Sequence, residues 1–175
     1  MLWLTQSIEA IELFMEKGGP VLYGVLAVTF VMWTLIIERF WYFAFGARAD
    51  INRAVDAWEA RPERKSWYAH KIRTAMLSEV RNSLSSNIEM IKTLVATCPL
   101  VGLLGTVTGM ITVFDAMAAF GSGNARAMAD GVSQATIPTM AGMVAALSGV
   151  FVSTFLERRA KRQAERLEDS LTMDH

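Results

Sequence analysis

From Thr93 to Phe114 the chain has no charged side chain, and within that run stand Thr97, Pro99, Gly102, Gly105, Thr106, Thr108, Gly109 and Thr112. A second uncharged run, Gly131 to Leu156, carries Ser133, Gln134, Thr136, Pro138, Thr139, Gly142, Ala145, Ala146 and Gly149. Threonine and serine hydroxyls offer one donor and two acceptor lone pairs, and glutamine offers both kinds of group, so these residues can hold water or hydrogen-bond a carboxyl. None of them exchanges a proton near neutral pH. A proton or sodium path through a dry bilayer needs an ionisable carrier, an ordered water chain, or both. The uncharged runs contain no Asp, Glu, Lys, Arg or His, and the nearest acid, Asp115, falls at the end of the first of them. If the chain conducts ions, the titrating carboxylate comes from another polypeptide. The plainer alternative is that each membrane threonine bonds a carbonyl of its own helix and packs like valine.

The elements that position these residues follow from length and patterning. At about 1.5 Å of rise per residue, runs of this length cross a hydrocarbon core of roughly 30 Å. Gly18 to Ile37 is a third such uncharged run. The sequence predicts an all-α membrane protein with three transmembrane helices at 18–37, 93–114 and 131–156. Residues 1–17 read as an amphipathic helix lying in the membrane surface, with Leu4, Ile8, Ile11 and Met15 on one face and Glu9, Glu12 and Glu16 mostly opposite. Gly18-Gly19-Pro20 interrupts it. The 38–92 connection is polar and helical: Asp50 to Arg61 places Ile51, Val55 and Trp58 on a buried stripe with Pro62 as its stop. Beyond Ser66, Ile72, Met76, Val80, Leu84, Ile88, Ile91 and Val95 recur every three or four residues. That spacing predicts one long helix entering the second crossing, with Ser85-Ser86-Asn87 as its candidate break. Residues 115–130 form a short loop, and 157–175 a helical tail continuing the third crossing through Ala160, Ala164, Leu167 and Leu171.

Small residues concentrate where helices must touch. Gly102, Gly105, Thr106 and Gly109 make one flat flank of small residues, and Gly105 to Gly109 has the GxxxG spacing that lets backbones approach. Pro99 removes a donor and should bend its helix, leaving a carbonyl for Thr97 or a neighbouring helix to satisfy. Gly142, Ala145, Ala146 and Gly149 form a like surface on the third helix, open to another subunit or to the second helix.

Orientation follows from basic residues. The 38–92 connection holds ten of the seventeen Lys and Arg and the tail five, against Lys17 and Arg126 on the other side. The positive-inside rule then places the N-terminus and the 115–130 loop in the periplasm and the tail in the cytoplasm. Trp33, Trp41 and Tyr42 suit the headgroup layer at the inner end of the first crossing. With 53% hydrophobic and 19% charged residues gathered into blocks, the composition is that of a membrane protein, and the zero net charge averages over segregated regions. No export signal is expected, because Met1-Leu2-Trp3-Leu4 lacks a basic start. Cys98 alone makes no disulfide. His70 and His175 lack the companions a metal site needs, and no nucleophile-base set, phosphate loop or carboxylate pair is present, so neither a metal, a cofactor nor an enzyme is expected. The basic tail suits anionic lipid headgroups, not nucleic acid.

Thr97-x-Pro99-x-x-Gly102-Leu103-x-Gly105-Thr106-Val107 resembles the signature of the ExbB/TolQ/MotA family of proton-channel proteins, and Ala135-Thr136-Ile137-Pro138-Thr139-Met140-Ala141-Gly142-Met143-Val144-Ala145-Ala146 is similar to that family's next membrane helix. The two blocks cover about a third of the chain. The resemblance implies an inner-membrane subunit of an ion-driven energy transducer with the three-helix topology given above, most like the ExbB branch. It implies a homopentamer enclosing single-span partners of the ExbD type that bear an essential Asp, with energy passed to a TonB-like protein serving outer-membrane uptake. Thr106 and Thr139 align with the two threonines that line the path in that family, with Thr136 and Ser133 continuing that side outward. Gln134 stands where many members of that family carry Glu, which leaves proton against sodium open. Thr108, Thr112 and Asp115 form a stripe on the far side of the helix from Thr106, and both stripes cannot face one pore. The motor-stator branch, with four crossings, fits poorly; a TolQ-like envelope-maintenance subunit and a non-conducting membrane scaffold for the partner remain as alternatives.

Overall fold

The computed structural model describes residues 2–63, 66–121 and 124–171. Met1, Arg64, Lys65, the loop residues Ser122 and Gly123, and residues 172–175 with His175 lie outside the described residues, as do the side chains of Leu2, Trp3, Leu4 and Phe120. The described residues are helical, with no strand: α1 (Leu2–Trp41), a π-helical turn (Tyr42–Gly46), α2 (Ala47–Glu59), α3 (Trp67–Ser85), α4 (Ile88–Phe120) and α5 (Ala125–Ser170). Three helical stretches are long and apolar enough to cross a membrane. The chain folds as two compact units, one from residues 1–33 and 93–150, the other from 34–92 and 151–175.

In the first unit α1 is broken at Gly19, whose φ of 66° and ψ of −171° leave the helical region just before Pro20. Only glycine enters that conformation at little cost, and proline cannot donate to the turn behind it, so the Gly18-Gly19-Pro20 triplet ends one helix and starts the next. Ile8, Ile11, Leu13 and Phe14, ahead of the break, are exposed, and so stay available to a membrane surface. Most of the connection expected at 115–130 is helix, because α4 continues through Asp115 to Phe120 and α5 begins at Ala125. The unit's core is small and tight: Leu22, Val25 and Met32 of α1, Val95, Cys98 and Val113 of α4, and Ala135, Pro138 and Ala146 of α5. Its large apolar side chains point outward, among them Phe30, Leu103, Leu104, Ile111, Phe114, Met140, Val144 and Leu147. Small inside and bulky outside is the ordering expected where lipid or another chain, not water, is the surroundings.

The second unit buries larger apolar side chains than the first. Ile36, Phe43, Ala47, Ala54, Trp58, Val80, Leu84, Ile88, Ile91, Leu156, Leu167 and Leu171 are buried, with charged residues outside. Ile51 and Val55 flank that core half-buried, and the deepest α2 positions are Ala47, Ala54 and Trp58. The long helix expected from Ser66 onward is two helices. It breaks at Ser86 and Asn87, where Asn87 takes φ 60°, a left-handed conformation that asparagine tolerates better than most residues. Ser66 caps α3 by accepting a hydrogen bond from the Ala69 N–H at 3.3 Å, and Glu63 accepts from the Ser66 N–H at 2.7 Å. Helix C-termini leave carbonyls unpaired, and arginines fill them. The buried Arg39 donates to the Ser83 carbonyl at 3.1 Å, while Arg73 donates to the Leu171 and Glu168 carbonyls at 2.7 and 2.9 Å.

Candidate ion pathway

The pathway candidates belong to the first unit, where glycines set how closely α4 and α5 meet. A Cβ on Gly102 would sit 2.8 Å from the Pro138 carbonyl oxygen and 3.0 Å from the Thr139 Cα, one on Gly105 would sit 2.7 Å from the Pro138 Cβ, and one on Gly109 would enter the backbone of Ala135. From the other side, a Cβ on Gly142 would lie 2.6 Å from the Cys98 carbonyl oxygen, and Gly149 meets Val95 and the Met32 sulfur. Glycines 102, 105, 109 and 142, with the buried Ala146, are thus taken up inside the chain by the α4–α5 contact. Pro99 lies within α4, three residues ahead of Gly102. Nothing in the sequence assigns Pro138 a packing role, yet it is buried and its ring fills the notch at Gly105. Gly131 against Val113 extends the same seam. The signal that reveals both is the stripe Gly131, Ala135, Pro138, Gly142, Ala146, Gly149, small or ring-shaped at every third or fourth position.

The close approach lets Thr139 reach across. Its Oγ1 donates to the Gly102 carbonyl on α4 at 2.9 Å and lies 3.4 Å from its own helix's Ala135 carbonyl. Thr106 is one turn beyond Gly102 and half-buried, its Oγ1 donating to the Leu103 carbonyl at 2.7 Å. The two threonines therefore flank one turn of the seam. Gly24 of α1 approaches Val101 of α4, and Val21 approaches Gly105. Counted at about 3.6 residues per turn, those contacts fall on a flank well removed from Thr106, so the threonine pair looks away from α1. Thr136, exposed on α5 and bonded to the Val132 carbonyl at 3.1 Å, precedes Thr139 by nearly one turn and shares that outward side.

Gln134 and Ser133 do not share it. Gln134 comes nearly a turn and a half before Thr139, and its side chain is what a Cβ on Gly19 would meet, at 3.7 Å. It lines a cleft of about 280 Å³ with Leu13, Glu16, Lys17 and Asp130, so the two acids and the lysine of that mouth stand beside an amide. Ser133 falls on yet another flank of α5, turned away from both Gln134 and Thr139. Thr108 and Thr112 bond carbonyls of their own helix, Leu104 and Gly105 for the first and Thr108 for the second. Thr97 does likewise with Thr93 at 2.8 Å, so it leaves the carbonyl freed by Pro99 to other groups. Among the described residues no cluster of three or more His, Cys, Asp or Glu could hold a metal ion.

A seam whose hydroxyls are anchored on backbone carbonyls and whose walls carry no charge can hydrogen-bond a carboxyl brought to it, and supplies no side chain that exchanges a proton near neutral pH. The description of the MotA/TolQ/ExbB proton channel family matches residues 47–169. The chain belongs to that family. It is 26% identical, over 94% of its own length and 77% of the relative's, to a biopolymer transport protein of Synechocystis designated ExbB-like 1. It is 35% identical to Biopolymer transport protein exbB1 of Vibrio cholerae, over 54% of this chain and 42% of that one. Biopolymer transport protein ExbB of Xanthomonas campestris is 34% identical, over 54% and 37%. The chain thus aligns with less than half the length of the last two. No solved structure matches it. The family and the three apolar helices make it a multi-pass protein of the cytoplasmic membrane and a proton-channel motor subunit of the ExbB type.

Proposed function

We propose that this ExbB-type subunit assembles as a homo-oligomer, a pentamer by the family resemblance, around an ExbD-like single-span partner, and that protons descend past Thr106 and Thr139 by way of the partner's Asp. The work is handed to a TonB-like protein that powers outer-membrane uptake. What carries the reading is the combination of three spans without Asp, Glu, Lys, Arg or His and a threonine pair set on one turn of the α4–α5 seam. Both hydroxyl protons are already given to backbone carbonyls, so each Oγ1 offers the partner its lone pairs. An acceptor favours the neutral carboxylic acid over the carboxylate and raises its pKa. The threonines then hold the loaded form of the carrier, and its neutralisation lets one rotational position give way to the next. Thr136 prolongs the outward side. Gln134 and the Glu16-Lys17-Asp130 mouth belong to the approach on the α1 side, not to the carrier's turn.

Thr106→Val and Thr139→Val, each introduced beside an intact partner, test the proposal. Assembly retained with proton flux and partner-driven transport reduced at least tenfold supports it. Unchanged flux favours the scaffold reading, which the backbone-bonded state of both hydroxyls makes the strongest competitor.

A further inference from the structure

The second unit contains a cleft of about 600 Å³ between α2 and the last part of α5, and its charged lining is entirely basic: Arg48 from α2 and Arg159, Arg162 and Arg166 from α5. The volume is within the roughly 300–1,000 Å³ of ordinary ligand clefts. Arg159 is held in place, its guanidinium carbon 5.7 Å above the Phe43 ring centroid. Arg48, Arg162 and Arg166 have no hydrogen bond or ion pair to any described residue. Of the acids nearby in sequence, Asp50 takes Tyr42 and Arg53, Glu157 takes Lys92, Glu168 takes Arg81 and Glu165 lines a different cleft, and none of the lining residues is acidic. Four like charges converging without a counter-charge repel one another, and the fold retains them. Gln163 also lines the cleft, and its Oε1 is buried with no partner. The apolar part of the lining includes Phe43 and Phe155, and Phe155 sits at the end of the third uncharged run, just before its close at Leu156.

We propose that this cleft binds the headgroup of an anionic phospholipid from the leaflet on the basic side of the bilayer. Its phosphate is held by Arg159 and Arg162 with Arg48 and Arg166 around it, and a headgroup hydroxyl donates to Gln163 Oε1. Guanidinium forks match phosphate oxygens in geometry as well as charge, and basic pockets at the end of membrane helices are the expected place for such headgroups. A lipid, not a free anion, is the occupant because the aromatic and aliphatic wall at Phe43, Val55 and Phe155 gives the glycerol backbone and first acyl carbons a surface that a soluble phosphate would leave wet. The site is independent of the channel reading: a subunit that conducts nothing would still hold the lipid.

The experiment uses the full chain purified in detergent, titrated with phosphatidylglycerol, phosphatidylcholine or glycerol phosphate, and followed by thermal unfolding and by native mass spectrometry of retained lipid. Phosphatidylglycerol should bind and raise the melting temperature, and the other two should not. Arg159→Gln and Arg162→Gln should each weaken phosphatidylglycerol binding about fivefold, whereas Arg158→Gln and Lys161→Gln, the same charge change on the same helix outside the cleft, should leave it within about twofold. Arg159→Lys should recover part of the loss, which separates a binding defect from misfolding. Equal losses in the Arg158 and Lys161 variants would reduce the effect to diffuse surface attraction and overturn the proposal. So would equal binding of phosphatidylcholine, or stabilisation by glycerol phosphate alone.

Discussion

Single side chains in the first unit act through backbone atoms of neighbouring helices. Thr139→Val keeps the shape of the side chain and removes the donor to the Gly102 carbonyl, so it should lower stability by about 1 kcal/mol, with Thr139→Ser largely preserving the bond; thermal unfolding in detergent measures both. Because stability and proton flux are read separately, the same pair of variants distinguishes a latch between helices from a pathway group. Gly109→Ala is a harsher change than its one carbon suggests. The new methyl group would enter the backbone of Ala135, so α4 and α5 must part, at about 1–3 kcal/mol, whereas Gly121→Ala meets open space and bears only the strain of φ 71°, about 1–2 kcal/mol. A cysteine crosslink across the seam should form at a lower rate in the first variant and not in the second. The glycines and threonines of this site are legible in the sequence because unusual residue types stand out in an apolar run. The position of Gln134 is not, since which flank of α5 faces α1 depends on packing against Gly19 and no periodicity within α5 alone encodes it.

At the level of elements, three uncharged runs define the spans because hydrocarbon leaves no other use for such sequence, and the Gly18-Gly19-Pro20 break follows from backbone sterics. The division of the polar helical region into α3 and α4 is only half legible: residue types mark Ser85-Ser86-Asn87 as a candidate break, but hydrophobic spacing runs through Ser86 and Asn87 without losing phase, and periodicity does not register a left-handed residue. The π-helical turn at Tyr42–Gly46 is invisible, as one extra residue in a turn alters no composition. Tyr42 begins that turn, its hydroxyl donating to Asp50 Oδ2 at 2.5 Å. Burial first, and then the hydrogen bond and charge of Asp50, push its pKa from 10.0 up to about 12 against the pull of Arg39 and Arg53. The folded form therefore keeps, between about pH 10 and 12, a proton that the unfolded chain has lost. Stability is fully present below pH 10 and declines as pH rises through the folded value. Tyr42→Phe should flatten that decline in a denaturant series from pH 9 to 12, and an unchanged slope would place the alkaline sensitivity elsewhere.

For the whole molecule the decisive quantity is the distribution of charge, since seventeen basic and seventeen acidic residues cancel in sum. Fifteen of the Lys and Arg fall in 38–92 and 158–166, and two, Lys17 and Arg126, fall on the other side of the spans. Translocating the richer side would carry those cations through hydrocarbon against the membrane potential, at about 2.3 kcal/mol per charge for each 100 mV. The expected orientation thus puts the 115–130 segment outside and α2, α3 and the tail inside. Cys98 is fully buried, so Cys98→Ala gives a clean background for single cysteines at Asn124 and Ser170, both exposed. In intact spheroplasts a membrane-impermeant maleimide should label Asn124→Cys and spare Ser170→Cys until the membrane is opened. The reverse pattern would overturn the orientation read from the distribution of Lys and Arg. A shift toward mixed labelling on replacing Arg158, Arg159, Lys161 and Arg162 together with Gln would show that these tail charges, and not the uncharged runs themselves, set the orientation, because the hydrophobic lengths of the three spans are untouched by that change.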